Sequence, residues 1–439
     1  MNSSKHLTLI YNASQLLTLA GGPQRGSMLG SLGIIKNGAV LIQGSQILEI
    51  GASDELLEKY QHANLIDAQC KVVMPGFVDP HTHLVWAGDR AEEFSLRLAG
   101  KSYMEILESG GGILSTVTAT RAASKDELVN QTKPRLWQAF THGTTTAEVK
   151  TGYGLDFETE MKQIQAVLEL DYTGPIDLVP TFLPAHAFPT KYKNKPEKYV
   201  ELICQEMLPN FLVWWQEYAD KQSLPFVDVF CEKGAFSLDQ SRQILESAHS
   251  LGFPLKIHAD EFENLGGAAL AAELGAASAD HLVKTSPEDI HKIAASDTVA
   301  VSLPGTPFGL AEDEYTPAKK ILQANGLLAL ASDTNPGTSW CESMQFIIAL
   351  ACRYMRLTPA QAIAASTINA AAAINQAHLV GSLERGKQAD VLILSINDYQ
   401  MLGYRFGTNL VSKVIKKGRL YPVDPPGTDA YFMMGTGER

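Results

Sequence analysis

Cysteine is scarce in this 439-residue chain: there are five (Cys70, Cys204, Cys231, Cys341, Cys352), odd in number, scattered, and with no CxxC pair among them. A disulfide framework and a thiolate metal knuckle are both excluded, and a reducing cytoplasm is the expected home. Positive charge is also in short supply. Thirty-six Lys and Arg stand against 48 Asp and Glu, a formal charge of −12, so the chain lacks the basic face that phosphate backbones or anionic membranes require. No nucleic-acid partner is expected. Long apolar runs are missing as well. The opening segment is interrupted by Lys5, His6, Asn12, Ser14 and Gln15, unlike a signal peptide, and a run such as FIIALAC before Arg353 is too short to cross a bilayer. Neither a GxGxxG after a strand nor a P-loop occurs, and there are no internal repeats.

What the chain has is an ordinary 45% of hydrophobic residues, 19% charged residues, and a clear alternation of two patterns. Eight apolar, β-branched runs fall at 75–81, 143–149, 176–183, 226–232, 253–259, 278–283, 299–304 and 327–332. Most are separated by segments of helical period, among them 156–170, 239–251, 286–294, 316–324 and 359–374. Continuous apolar strands alternating with helices predict a parallel sheet covered on its outside, closed as a (β/α)8 TIM barrel. The two ends differ. HLTLIY, AVLIQG and QILEIG near the start, with Asn37-Gly38 as a hairpin turn, match ADVLILSI and SKVIKKGRLYPV near the finish in style. Neither end has enough strands for a core of its own, so residues 1–74 and 387–439 are expected to pair into one small β-sandwich domain around a barrel at 75–386. The connection over 84–142, with Gly110-Gly111-Gly112, is long enough to be a lid or a binding loop.

Five of the eleven histidines sit at or near predicted strand ends, where catalytic groups of a barrel converge. His81 and His83 form H-T-H, and alternation along an extended chain places both rings on one side. His258 ends the fifth strand and Asp333 the eighth. Three imidazoles and a carboxylate, with no thiolate, suit Zn²⁺, Fe or Mn. Glu261, three residues after His258, is placed to shuttle protons without being a ligand. His281, in the Asp280-His281 pair, is placed to hydrogen-bond a carbonyl oxygen or the attacking water, and His186 ends the third strand. His6, His62, His142, His249, His291 and His378 lie elsewhere and are read as ordinary residues.

These segments resemble the amidohydrolase superfamily and, within it, the imidazolonepropionase family, the imidazolone-ring hydrolases of histidine degradation. The resemblance runs from about residue 30 to about residue 420, carried by PGFVDPHTHLVWAGDRAEEF, GGGILSTVTATR, GTTTAEVKTGYGL, PTFLPAHAFP, KIHADEF, SADHL and SDTNPGT, with GDR, KTGYG and DTNPGT the family-specific parts. It implies one metal ion, Zn or Fe, on His81, His83, His258 and Asp333. It further implies catalysis by Glu261 and His281 with Asp333, and substrate contacts from Arg90, Tyr153, His186 and Glu261, together with the Asn335, Gly337 and Thr338 segment. The implied reaction is hydrolysis of the cyclic amide of 4-imidazolone-5-propanoate to N-formimidoyl-L-glutamate, by a homodimer. Arg90 would meet the propanoate with a fork of N–H donors, joined by amides near Gly337. Some members of the superfamily bridge two metals with a carboxylated lysine from the fourth strand; here that strand ends in Cys231-Glu232 and Lys150 belongs to the second, so a single-metal site is expected. A deaminase of nucleobase rings would share the catalytic set. Arg90, Tyr153 and NPGT separate the two readings, because a neutral base has no use for a carboxylate clamp.

Overall fold

The computed structural model describes residues 7–101, 111–219 and 223–423. Eight parallel strands follow one another in order around the centre: β1 (Phe77–Asp79), β2 (Thr144–Lys150), β3 (Asp177–Ala185), β4 (Phe226–Cys231), β5 (Lys256–Ala259), β6 (Ser278–His281), β7 (Val299–Ser302) and β8 (Leu328–Leu330). The ring closes just past the ends of β1 and β8. There the Asp333 amide donates to the His81 carbonyl at 3.1 Å and the His83 amide to the Thr334 carbonyl at 2.9 Å. This is the expected TIM barrel, and its last seam is made by the segments that carry His81, His83 and Asp333.

The helices begin where the sequence offers side-chain oxygens to orphan amides. Asp156 caps Phe157–Thr173, Ser237 forms a reciprocal capping box with Gln240 before Leu238–Ser250, and Ser286 followed by Pro287 starts Pro287–Ala294. One helical reading is corrected. The run 359–374 is two helices, Pro359–Ala365 and Ile368–Ala373, broken at Ser366-Thr367. Tertiary demand overrides a uniform Ala-rich propensity here, since the Ser366 carbonyl accepts the Val78 amide at 3.0 Å and so anchors β1.

The small β domain from both chain ends is present. Leu7–Leu17 pairs in parallel with Asn64–Pro75 and antiparallel with Gly38–Gln43, and Val391–Leu394 joins the other edge of Asn64–Pro75 antiparallel. Val411–Lys416 and Arg419–Pro422 continue the sheet outward. Register shifts in the two long strands bend them, and the enclosed face buries Ile10, Val40, Val73, Val391, Ile393 and Ile415. His6, and the last residues assigned to this domain, lie outside the described residues.

Candidate metal and catalytic site

The strand ends bring the predicted ligands together. The ligand atoms of His81, His83 and Asp333 lie within 4.8 Å of one another, and His258 joins His81 and His281 in a second such group and His83 and His186 in a third. Asp333 Oδ1 is 3.6 Å from His81 Nε2 and 3.7 Å from His83 Nε2, and His258 Nε2 is 3.4 Å from His83 Nε2. A tetrahedral ion with bonds of about 2.0–2.1 Å holds its ligands roughly 3.3–3.4 Å apart, so these spacings fit one. His81 Nε2 is fully buried and has no hydrogen-bond partner among the described residues, which is costly in a closed protein interior unless a cation is its intended company.

Backbone conformation re-aims the side chains that simple alternation would misplace. Asp280 and His281 are neighbours in β6, so a regular strand would turn one of them away from the axis. His281 and Leu282 take φ of +78° and +60°, and Asp333 takes +52°, left-handed values that non-glycine residues seldom hold outside such sites. His281 thereby reaches the mouth, its ring 5.5 Å from His81 and 5.4 Å from His258, while Asp280 stays inside. Glu261 Oε2 stands 3.7 Å from His281 Nε2. His186 stacks flat on His83 at 4.8 Å, held by a contact of its Nδ1 with the Gly152 carbonyl at 3.1 Å. A Cβ on Gly152 would fall 2.7 Å from that ring, so KTGYG needs its glycine there. Tyr153 is buried with its ring 5.8 Å from His83.

Burial keeps the rings of His81, His83 and His186 neutral. Burial, reinforced by Lys150 and the neighbouring imidazoles, holds His81 well below the ordinary histidine range. Burial and its imidazole neighbours do the same for His83, and push half-buried His186 down to about 3. Neutral imidazole is the form that binds a metal. Burial pushes Asp333 up to about 6 despite the Thr306 hydroxyl that donates to its Oδ2. Burial, with the charge of Asp333 nearby, holds Glu261 well above the usual carboxylate range.

The edge expected to meet the propanoate is less simple than the sequence implied. Arg90 donates from Nε to Glu93 at 2.8 Å, and its terminal nitrogens lie so close to Gly337 that any Cβ there would sit 2.2 Å from one of them. The glycine of NPGT therefore makes room for the arginine. The amides of Gly337 and Thr338, however, both donate to Asn335 Oδ1, at 2.8 and 2.9 Å, and Asn335 Nδ2 donates to the Asp333 carbonyl at 2.7 Å. Asn335 and Thr338 thus tie the loop that carries Asp333, and the guanidinium groups of this edge are those of Arg90 and Arg97. A cavity of about 490 Å³ opens beside it, lined by Arg90, Phe94, Arg97, Gly337 and Trp340. Of the 84–142 connection, Ala91–Leu98 carries the Arg97 guanidinium that donates to the Gly337 carbonyl at 3.0 Å; residues 102–110, which include Gly110, lie outside the described residues.

A model of the amidohydrolase family matches residues 72–421. The chain is 54% identical over 412 residues to an imidazolonepropionase of Herpetosiphon aurantiacus, covering 94% of this chain and 96% of that one. It is 49% identical to an imidazolonepropionase of Symbiobacterium thermophilum, with coverage of 94% and 96%. The chain belongs to the imidazolonepropionase branch of the amidohydrolase family. Among solved structures, this amidohydrolase is similar to a triazine hydrolase variant, with TM-score 0.71, 15% identity and 98% and 99% of the two chains covered. It is also similar to a zinc-bound adenosine deaminase from Xanthomonas campestris, with TM-score 0.69, 16% identity and 98% and 96% covered. These two likenesses show the fold. The amidohydrolase is a hydrolase acting on C–N bonds of a small molecule, and no helix among its described residues is long and apolar enough to cross a membrane.

Sequence reasoning missed the groups beneath the ligands. Asp280 Oδ2 meets His81 Nδ1 at 2.6 Å, and Asp228 Oδ2 lies 2.9 Å from His258 Nδ1. Both carboxylates face Lys150, which also donates to Glu148. Their signal was present: Glu148, Lys150, Asp228 and Lys256 each interrupt an apolar strand, and a fully buried charge has to have a partner.

Proposed function

We propose that this enzyme hydrolyses 4-imidazolone-5-propanoate to N-formimidoyl-L-glutamate, with His81, His83, His258 and Asp333 holding one Zn or Fe ion. The observation that carries the reading is the convergence of those four side chains in overlapping groups of three, with the Glu261–His281 pair beside them and the Arg90 guanidinium at Gly337. A cation held there supplies Lewis acidity and lowers the pKa of water towards about 7. Everything else comes from the chain. Arg90 takes the propanoate through paired N–H donors, and the stacked His83 and His186 rings with Tyr153 form a wall for the flat imidazolone. Asp333 has Oδ2 engaged by Thr306 and Oδ1 turned to the imidazoles, so it is fixed in place. Glu261, raised in pKa and with no hydrogen bond engaging its carboxylate among the described residues, takes the proton of the attacking water. His281 donates to the oxyanion formed at the former ring carbonyl. Glu261 then returns its proton to the ring nitrogen as the C–N bond breaks, leaving a new carboxylate and the formimidoyl group.

The same reading assigns residues 1–74 and 387–439 to the β domain and 75–386 to the barrel, supported by the sheet ending at Pro75 and β1 beginning at Phe77. A cytoplasmic homodimer with no nucleic-acid partner is part of it, supported by the acidic charge, the family resemblance and the free state of all five cysteines. The test is turnover of imidazolonepropanoate against a panel of nucleobases, with elemental analysis of the purified protein. Turnover of the imidazolone that is lost in His258→Ala and Asp333→Ala supports the reading; ammonia release from guanine or cytosine with imidazolonepropanoate untouched, or full activity in either variant, overturns it.

A further inference from the structure

Lys150 is fully buried in the second strand, and nothing in the reaction above uses it. Its ammonium donates to Asp228 Oδ2 at 2.7 Å and to Glu148 Oε1 at 2.7 Å, and lies 3.6 Å from Asp280 Oδ2. The two aspartate oxygens it faces are the same atoms that face the rear nitrogens of two ligands: Asp228 Oδ2 is 2.9 Å from His258 Nδ1, and Asp280 Oδ2 is 2.6 Å from His81 Nδ1. The remaining oxygens are engaged too. Asp228 Oδ1 accepts from the Val229 amide at 2.7 Å, and Asp280 Oδ1 from the Ser278 hydroxyl. Strands β2, β4 and β6 thus place the Lys150 ammonium between two carboxylates, each backed against a ligand imidazole, while the Lys256 ammonium stands 3.7 Å from the same Asp280 oxygen.

We infer that Lys150 is a positioning residue for the metal site, acting through Asp228 and Asp280. A carboxylate next to Nδ1 selects the tautomer with the proton on that nitrogen and leaves the Nε2 lone pair pointing forward. Two buried aspartates facing one ammonium repel each other, and without that ammonium one of them would turn away from its imidazole. Lys150 removes that repulsion for both at once, so the rings of His81 and His258 are fixed in direction and in tautomer before an ion arrives. His83 supplies the contrast: among the described residues no carboxylate stands behind its Nδ1 as Asp228 does 2.9 Å behind that of His258, and its ring stacks on His186 instead.

This inference rests on the metal reading of the proposed function, and the experiment separates the two. Zn²⁺ alone is titrated into metal-free wild type, Lys150→Met, Asp228→Asn and Lys416→Met by chelator competition, and imidazole ¹⁵N spectra of histidine-labelled protein are recorded without metal. Lys416 is a buried ammonium also held by two aspartates, far from the mouth, and controls for general loss of stability. Expected is a 10- to 100-fold weaker Zn²⁺ affinity for Lys150→Met, the scale of losing an outer partner of a ligand. Asp228→Asn should weaken binding comparably, and Lys416→Met should match wild type. The ¹⁵N spectra should show His81 and His258 losing their single Nδ1–H tautomer in Lys150→Met. Should Lys150→Met fail to fold, the isosteric Asp228→Asn decides. Wild-type affinity in a folded Lys150→Met, or in Asp228→Asn, overturns the inference, as does an equal loss in Lys416→Met. No Zn²⁺ bound by wild type overturns the reading beneath it instead.

Discussion

Two buried lysines in this molecule have nearly the same immediate chemistry and opposite uses. Lys416, at the joint between the β domain and the barrel, donates to Asp390 at 2.6 Å, Asp177 at 2.8 Å and the Thr145 carbonyl at 2.7 Å. Gln388 closes the group by donating to both aspartates, and Lys417 adds a second ammonium on Asp177. There every strong acceptor finds a protein donor, and the result is a joint between two sheets. Lys150 likewise sits among carboxylates, but one of them abuts His81, whose forward Nε2 has no hydrogen-bond partner among the described residues. A buried ion cluster is therefore no sign of chemistry in itself. The sign is the unsatisfied donor atoms that the cluster orients.

That contrast can be broken in several ways. Glu261→Gln should lower kcat by about 10²–10⁴-fold, the usual contribution of a positioned acid–base group, while Zn²⁺ content stays at the wild-type level; a loss of metal instead would move Glu261 among the ligands. Lys416→Met should cost about 3–5 kcal/mol by leaving buried aspartates uncompensated, read as a lowered denaturation midpoint, with kcat/KM of the folded fraction unchanged. An altered kcat/KM would mean that the joint speaks to the mouth after all. Arg90→Lys should raise KM for imidazolonepropanoate by roughly tenfold, since a point charge replaces a planar fork, with Zn²⁺ affinity unmoved; an unchanged KM would remove Arg90 from the propanoate.

The smallest effect is a separation in pH. His186 is pushed down to about 3, so between the unfolded value near 6.5 and that value the unfolded chain binds a proton that the native one refuses. Stability from the mouth is therefore intact above 6.5 and drains as pH falls towards 3. At the joint, burial of Asp177 is outweighed by Lys416 and Lys417, which hold its carboxyl well below the usual range, so its contribution persists down to about 3.8 and fails only below. Thermal melts of metal-free protein should lose stability from pH 6.5 downwards, with a shallower slope in His186→Asn, and a Lys416→Met chain should run parallel to wild type until pH 4. A His186→Asn slope equal to wild type would sink the assignment.

Much of the candidate site was legible one residue at a time. HxH at a strand end, a later histidine and a strand-end aspartate are local features, and strand alternation alone places His81 and His83 on one side. The Arg90–Gly337 contact was legible only as a shared motif, for the two are 247 positions apart and no periodicity links them. Asp228 was overlooked because it sits inside an apolar strand, where only knowledge of what faces it from β2 and β5 reveals its task. The split at Ser366-Thr367 was hidden for a related reason: helix propensity is a weak local preference, and a carbonyl needed by Val78 outweighs it.

The sequence by itself determined the alternation of strand and helix, the pairing of the chain ends, and the inventory of imidazoles and carboxylates, because hydrophobic period and residue chemistry act over a few neighbours. Tertiary structure alone decided which carboxylate stands behind which imidazole, that Lys150 serves two of them, and that Asn335 ties its own loop. Those outcomes depend on distances between strands far apart in the chain, and in a buried setting an ångström or two separates a partnered charge from an orphaned one.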